Sequence, residues 1–549
     1  MLTHSEIFGF EPAKEYSKPV AYFSMEFAID QALKIYSGGL GFLAGSHMRS
    51  AFELKQNLVG IGMLWRMGYY DQVRDTEGTM KPNYTHKIYS FLHDPGIVFP
   101  IEIHGADVFI KAYLLKPQTF GSAPLFLLTT DIEENDFLSR QITNRLYDSN
   151  EATRIAQSMV LGIGGAKLMD ILGLNIEIYH MNEGHSVPLN FYLYAKHKSL
   201  EEVKKRVVFT THTPEKAGNE EHTYEILKEM SFFYHMQDHE VKHVLSMTGD
   251  HFDYTLAALK FAKVANGVSK LHGEVARDMW EQNQGICEIK AITNAQNKHY
   301  WKDDQLEIAL EKNDDNALVV RKKEMKADLF KIVADQTGKI FDPNVLTLVW
   351  ARRFAGYKRA DLLMRDFERF EKLVKNAEFP IQIIWAGKPY PEDYAAIDTF
   401  NYIYWKTIIF PNVTVLTGYE LGLSASLKKG SDVWLNNPKM FREASGTSGM
   451  TAAMNSSVNF SIPDGWIPEF AKHGENSFII PPANVALSVE DKDLAEGNRL
   501  LDILESEILP TYYKNHDKWQ KIVKQAMKDV VPAFESGRMA TEYYEKLYK

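Results

Sequence analysis

Short apolar runs, three to seven residues long and closed by turn-forming residues, recur along the whole chain. In the first half they cover 19–25, 58–64, 125–129, 176–181 and 207–211. In the second half they cover 346–351, 381–386, 413–417, 433–436, 458–462 and 478–480. Several are nearly continuous in Val, Ile and Leu instead of alternating with polar residues, which predicts strands covered on both faces. Segments of helical period lie between them, as at 151–172 and 361–375. Strand, helix and strand in succession predict right-handed crossovers and parallel sheets. The charged, proline-free stretch 302–338 reads as helix with some loop, between the two groups of strands. The expected fold is therefore α/β, with two Rossmann-like domains facing each other across a cleft. Their expected bounds are 1–266 and 267–516, followed by C-terminal helices over 517–549 with a break near Pro532.

Composition narrows the class without changing this picture. The chain has 549 residues, 45% hydrophobic and 24% charged, as in an average soluble globular protein. Its 62 basic against 72 acidic residues give a net charge of −10, so no bulk attraction draws it to nucleic acid or an anionic membrane. The single cysteine, Cys287, cannot close an internal disulfide, which favours a reducing compartment. No secretory leader and no long apolar span is visible, and a cytoplasmic location is expected.

Three segments carry candidate chemistry. SGGLGFLAG (37–45) is glycine-rich and opens a predicted helix, so Gly38, Gly39 and Gly41 let backbone amides approach an anion. The pattern also occurs in ordinary tight strand–helix turns. VWARRFAGYKRAD (349–361) places Arg352, Arg353, Lys358 and Arg359 just after a strand, where open α/β sheets bind ligands. Guanidinium groups fork onto phosphate and ammonium groups add point charge, although a solvated basic helix start gives the same letters. EASGTSGM (443–450) leads into a predicted helix at 450–456, with Glu443 placed to accept hydrogen bonds from a polyol. His180, His185, His212 and His222 lack zinc-site spacing. They are expected in loops that hydrogen-bond a polar substrate, and no metal is expected.

Taken in order, nine segments resemble the glycogen/starch (α-glucan) phosphorylase family, particularly its short bacterial and archaeal branch. They are YFSMEF (22–27), SGGLGFLAG, HMNEGHS (180–186), TTHTP (210–214), VANGVSKLH (264–272), RRFAGYKR (352–359), WLNNP (434–438), EASGTSGM and DGW (464–466). The resemblance implies a GT-B type glycosyltransferase with a C-terminal helix crossing back. It implies retaining phosphorolysis, which moves a terminal α-1,4-linked glucose of a glucan or maltooligosaccharide to phosphate and yields α-glucose 1-phosphate. It further implies that Gly38, Gly39 and Gly41 cover the substrate phosphate and that Arg353 and Lys358 grip it. His212 would meet the reacting glucose, and Asn266, Glu443, Ser445 and Gly446 its hydroxyls. The family resemblance leaves room for a homodimer.

One departure bears on the cofactor. Where the family has the lysine that joins pyridoxal phosphate as a Schiff base, this chain has Thr451, and a hydroxyl forms no imine. The expectation is phosphorolysis without that covalent link, or pyridoxal phosphate held only by contacts from residues such as Arg352 and Thr447. Ser46, the stretch ITNAQN (292–297) and YELGLS (419–424) are also atypical. Two other readings are carried. One is a sugar-nucleotide-dependent glucosyltransferase resembling glycogen synthases, although Glu443-x7-Thr451 matches neither family's pattern. The other is a glucan-binding protein without catalysis.

Overall fold

Each of the eleven apolar runs is a strand in the computed structural model, which describes residues 2–549 except Thr248. Leu125–Thr129, Leu346–Ala351, Ile381–Ala386 and Val433–Asn436 keep the predicted bounds, and the others differ by a residue or two at their ends. Contacts divide the chain into two units. One comprises the residues up to Tyr70, Tyr84–Asn297 and Ser536–Lys549, and the other comprises Asp71–Asn83 and Lys298–Glu535. No described helix is long and apolar enough to cross a membrane.

The first unit is built on a nine-stranded sheet. Seven strands are parallel, in the order Glu288–Ala291, Val264–Gly267, Val207–Thr210, Ile178–Asn182, Val20–Phe23, Leu58–Met63 and Leu125–Thr129. An antiparallel hairpin, Ala106–Leu115 and His93–Ile103, extends the far edge. Sequence pattern did not reveal this hairpin, for identifiable reasons. Its outer strand contains Pro95 and Pro100, which only an edge tolerates, and its burial alternates because one face is wet. Its two-residue turn is His104-Gly105, both at positive φ, without the Asn or Asp that usually signals such a turn. The predicted helix 151–172 is present but passes through a π-helical turn, Val160–Gly164.

The first unit also extends past residue 266, because the strands Val264–Gly267 and Glu288–Ala291 pair within its sheet. Near the C-terminus, the helix His516–Phe534 accommodates Pro532 and ends at Glu535, which is extended. The helix Ser536–Tyr543 that follows belongs to the first unit. Its Ser536 amide donates to the Gln296 carbonyl (3.1 Å) and its hydroxyl meets that of Ser50 (2.6 Å).

The second unit carries six parallel strands in the order Val413–Leu416, Ile381–Ala386, Leu346–Ala351, Val433–Asn436, Val458–Ser461 and Ser477–Ile479. Leu346–Ala351 and Ile381–Ala386 are buried along their whole length, which requires cover on both faces. On one face Leu329, Phe330 and Val333 of helix Asp315–Thr337, with Leu423 and Leu427 of helix Leu421–Gly430, pack on Val349, Ala351, Ile384 and Ala386. On the other, Trp350 meets Phe354, which meets Phe400, while Trp385 meets Phe370. Each such side chain contributes about 1.5–3 kcal/mol by leaving water. The hairpin Asp71–Arg74 and Met80–Asn83 joins this unit through Gln72, which donates to the Gly387 carbonyl (2.9 Å), and Arg74, whose guanidinium lies 3.7 Å from the centre of the Tyr404 ring.

Candidate functional site

Candidate residues gather at the C-terminal ends of both parallel sheets, and each unit holds its own group. In the first unit, strand Val20–Phe23 leads to Glu26, which is buried. Its carboxylate accepts the Ser37 amide (2.6 Å), the Gly38 amide (3.2 Å) and the Tyr147 hydroxyl (2.8 Å). The glycines of 37–45 then divide by task. A side chain on Gly38 or Gly39 would meet nothing within 4 Å, so that stretch of backbone faces open space. Gly39 starts the helix Gly39–Glu53, where the first amides lack intrahelical acceptors. Gly41 and Gly45 face inward instead. A Cβ on Gly41 would lie 2.8 Å from the Glu26 carboxylate, and one on Gly45 would lie 2.0 Å from the Ala28 carbonyl. The motif therefore combines an open backbone edge with close helix packing.

His212 follows strand Val207–Thr210. Its Nε2 is 2.7 Å from the Asn182 Oδ1, and its backbone amide donates to Glu183 (2.6 Å), which also accepts the Thr213 hydroxyl (2.7 Å). Burial, helped by the neighbouring His272 and His185, lowers the His212 pKa to about 3, so its imidazole is neutral. Burial raises Glu183 to about 7, against the two hydrogen bonds that favour its anion. Glu183 also sits at φ 73°, ψ 171°, a backbone region that non-glycine residues rarely occupy and that costs of order 1–3 kcal/mol. Sequence reading singled out His212 but passed over Glu183, Glu26 and Asn182, because nothing in their spacing marked them as convergent.

Asn266, expected to meet a sugar hydroxyl, is bonded within the protein. It is fully buried, its Oδ1 accepts the Thr210 hydroxyl (2.7 Å) and its amide donates to the Gly267 carbonyl (3.1 Å). The same threonine hydroxyl meets His180 Nε2, whose Nδ1 meets the Tyr548 hydroxyl, each at 2.7 Å. Asn266 and His180 thus form a polar strut beneath the sheet's end, and His180 lies within strand Ile178–Asn182 rather than in a loop. His222 is held by Glu151 (2.8 Å) and Glu220 (3.1 Å). Asn294, by contrast, is buried with its Oδ1 lacking any partner among the described residues. The atypical Ser46 and Gln296 prove to be partners, hydroxyl to carboxamide at 2.6 Å.

In the second unit, the strand Leu346–Ala351 delivers Arg352, which is buried, and Arg353, which is exposed. The turn Gly356–Lys358 brings Lys358 back beside them. Glu443 lies between, 2.9 Å from Arg352 and 3.2 Å from Lys358. Burial favours its protonated form, but Lys358 and Arg352, with Arg353 farther off, outweigh burial and hold its pKa below the usual value. Asp464 fixes this stretch by accepting the amides of Arg442 and Glu443, each at 3.0 Å. Gly465 is required there, because at φ 61° any Cβ would lie 2.3 Å from the Ser445 carbonyl. Gly446 is likewise at φ 81° and packs against the Glu443 side chain.

Arg359 is structural: it is buried, paired with Asp493 (2.8 Å) and Glu496 (2.6 Å), and donates to the Asn437 and Pro438 carbonyls. Thr447 immediately precedes a short helix, Ser448–Ala453, without a capping hydrogen bond, and that helix begins two residues earlier than the predicted 450–456. Thr451 is buried and its hydroxyl donates to the Ser448 carbonyl (3.0 Å). Among the buried groups without a partner in the described residues are Arg352 Nη1 and the Ser445 hydroxyl. Three cations against one carboxylate leave this group with two positive charges in excess. That matches a phosphate carrying up to two negative charges near neutrality.

No protein-family model matches the sequence. An uncharacterized protein of Methanocaldococcus jannaschii is 49% identical over 533 residues, spanning 97% of this chain and all of that protein. The maltodextrin phosphorylase of Thermococcus litoralis is 32% identical, over 97% of this chain and 71% of its own length. The glycogen phosphorylase of Aquifex aeolicus is 31% identical, over 97% of this chain and 86% of its own.

Proposed function

The chain belongs to the α-glucan phosphorylase family, and on that premise we propose that it is a retaining glycosyltransferase that transfers a terminal α-1,4-linked glucose to inorganic phosphate, giving α-glucose 1-phosphate. The observation that carries this reading is the net positive cluster of Arg352, Arg353 and Lys358 around an ionised Glu443. Arg353, being exposed, and Lys358 grip the phosphate as a preorganised clamp on charge that shifts during transfer. Glu443, Ser445 and Gly446 receive sugar hydroxyls, with Asp464 as the positioning residue beneath them. In the first unit, the open backbone at Gly38 and Gly39 suits an anion, and neutral His212 offers a sugar a hydrogen-bonding group rather than a charge.

Pyridoxal phosphate is the family's source of a second phosphate, which exchanges a proton with the substrate phosphate. The unpartnered Arg352 Nη1 and Ser445 hydroxyl suit an anion of that kind, whereas Thr451 offers no amine. The test is glucan shortening with maltoheptaose, comparing phosphate as acceptor with UDP- or ADP-glucose as donor for the reverse growth. Phosphate-dependent shortening is expected. Chain growth from a nucleotide sugar without phosphorolysis would replace this reading with a glycogen-synthase-like one, and binding without turnover would leave a glucan-binding role.

A further inference from the structure

The edge of the second unit's sheet carries two cations that no acid answers. Val413–Leu416 is the outermost strand there, so its outward carbonyls have no neighbouring strand to pair with. Two long side chains take them instead. Arg74 Nη2 donates to the Val415 carbonyl (3.0 Å), and Lys339 Nζ donates to the Val413 carbonyl (2.6 Å). The two carbonyls are two residues apart on an extended strand, which sets the cationic heads roughly 7 Å apart. Around them lies a cavity of about 320 Å³, a size that suits a small molecule. Arg74, Lys339, Tyr404, Thr414 and Thr417 are among its walls, all from the second unit.

Among the described residues, no Asp or Glu lines this cavity. Arg74 otherwise donates from Nη1 to the Gly78 carbonyl (2.8 Å) and lies over the Tyr404 ring. Those bonds leave further N–H groups on its guanidinium. The adjacent Asp75 is engaged elsewhere, accepting the amides of Glu77 (3.0 Å) and Thr79 (2.9 Å), with Lys81 at 3.7 Å. Lys339 also meets the carbonyls of Phe410 (2.8 Å) and Thr407 (3.5 Å), so its hydrogens are engaged while its charge has no counter-ion. The C-terminal ends of helices Asp315–Thr337 and Tyr394–Thr407 reach the same cavity, each bringing about half a negative charge. Together they offset one cation, and one remains. Burial lowers the pKa of Arg74 to about 10 and that of Lys339 to about 8, shifts that a bound anion opposes. Thr414 gives a second, independent sign. It is 3% exposed and lines the cavity, yet its hydroxyl bonds to no described residue. A buried hydroxyl left unmatched is costly in the same way as a cation without a counter-ion.

We propose that this cavity binds a small phosphate, free or as a monoester, with Arg74 donating to its oxygens, Lys339 adding charge and the Thr414 hydroxyl completing the contacts. Thr414 pairs with Ile384, which packs with Leu329 and Val333 of helix Asp315–Thr337, so its hydroxyl leaves on a face of the sheet while the cations meet the edge. Donors that converge from edge and face suit a tetrahedral anion better than a planar carboxylate. The site shares no residue with the group around Glu443, and it does not depend on phosphorolysis. Its occupant fastens the hairpin Asp71–Arg74 and Met80–Asn83 to the sheet edge, because Arg74 ends the first strand of that hairpin.

The test counts binding and not turnover. Inorganic phosphate, and separately glucose 1-phosphate, is titrated by equilibrium dialysis into wild type and into the Arg74→Gln, Thr414→Val and Lys358→Ala variants. Two classes of site are expected. One is lost in Lys358→Ala and belongs to the proposed transfer reaction. The other survives in Lys358→Ala, is lost in Arg74→Gln and weakens about tenfold in Thr414→Val, the cost of one hydrogen bond to a charged group. Tighter binding of inorganic phosphate at this second class assigns it to the free ion, and tighter binding of the ester assigns it to an organic phosphate. Thr414→Val keeps the shape of the side chain, so it decides the point even if Arg74→Gln folds poorly. Absence of a class that responds to Arg74→Gln and Thr414→Val would overturn the inference, whatever happens in Lys358→Ala. Absence of the Lys358-dependent class alone would count against the proposed function and leave this site standing.

Discussion

Around His212 in the first unit the titratable groups are kept uncharged, whereas around Glu443 in the second they are kept ionised, although both neighbourhoods are buried. The difference lies in the partners. His212 has the neutral carboxamide of Asn182 at its ring nitrogen and two other imidazoles nearby, so desolvation prevails. Glu443 meets desolvation of the same kind but also two cations within 3.2 Å, and attraction prevails. A polyol is recognised by neutral donors and acceptors, and a phosphate by fixed charge. On the proposed reading, the first group suits a sugar and the second a phosphate.

The largest effect should come from breaking the charged group. Arg353→Ala and Lys358→Ala are each expected to lower kcat/KM for phosphorolysis by roughly 10²–10³-fold, the cost of losing one preorganised donor. Undiminished turnover in both variants would remove these residues from the phosphate site. Next in size is Glu443→Ala, which strands Arg352 and Lys358 as buried cations. Breaking a buried pair in this way costs about 3–5 kcal/mol. Denaturant melts should register that loss, and an unchanged midpoint would mean that solvent already screens the pair.

A subtler change sharpens the neutral side. The folded-state pKa of Glu183, about 7, lies above its unfolded value, so the folded protein holds an extra proton in between. That contribution to stability is present at low pH and fades as pH rises through about 7. Wild type should therefore lose stability relative to Glu183→Gln between about pH 4.5 and about pH 7, with no further loss above that. Parallel stability curves would show that Glu183 is ionised throughout. The smallest effect concerns Ser46 and Gln296. Ser46→Ala should cost about 1 kcal/mol, the net worth of one hydrogen bond. A double-mutant cycle with Gln296 that gave no coupling would dissolve the pairing of these two atypical positions.

How much of this could be read from the sequence differs by residue type. Most strands in the parallel sheets were legible because burial on both faces leaves continuous Val, Ile and Leu, whereas the short strands Val264–Gly267 and Glu288–Ala291 were not. The edge hairpin His93–Ile103 and Ala106–Leu115 was not, since a half-wet strand with two prolines hides its period. The excursion Asp71–Asn83 was missed because its place in the second unit depends on groups hundreds of residues away, such as the Tyr404 ring and the Gly387 carbonyl. In the site, Arg352, Lys358 and Glu443 stood in recognisable motifs and proved to be neighbours. Asn266 stood in a motif as well but serves as a strut, because a motif records residue order and not which way a carboxamide turns.

The most direct test of the central claim is proton and phosphorus NMR of the purified protein with maltoheptaose and inorganic phosphate. The account predicts that α-glucose 1-phosphate accumulates as the glucan shortens, in step with loss of phosphate and only in its presence. A β-anomer, free glucose, or shortening indifferent to phosphate would contradict it.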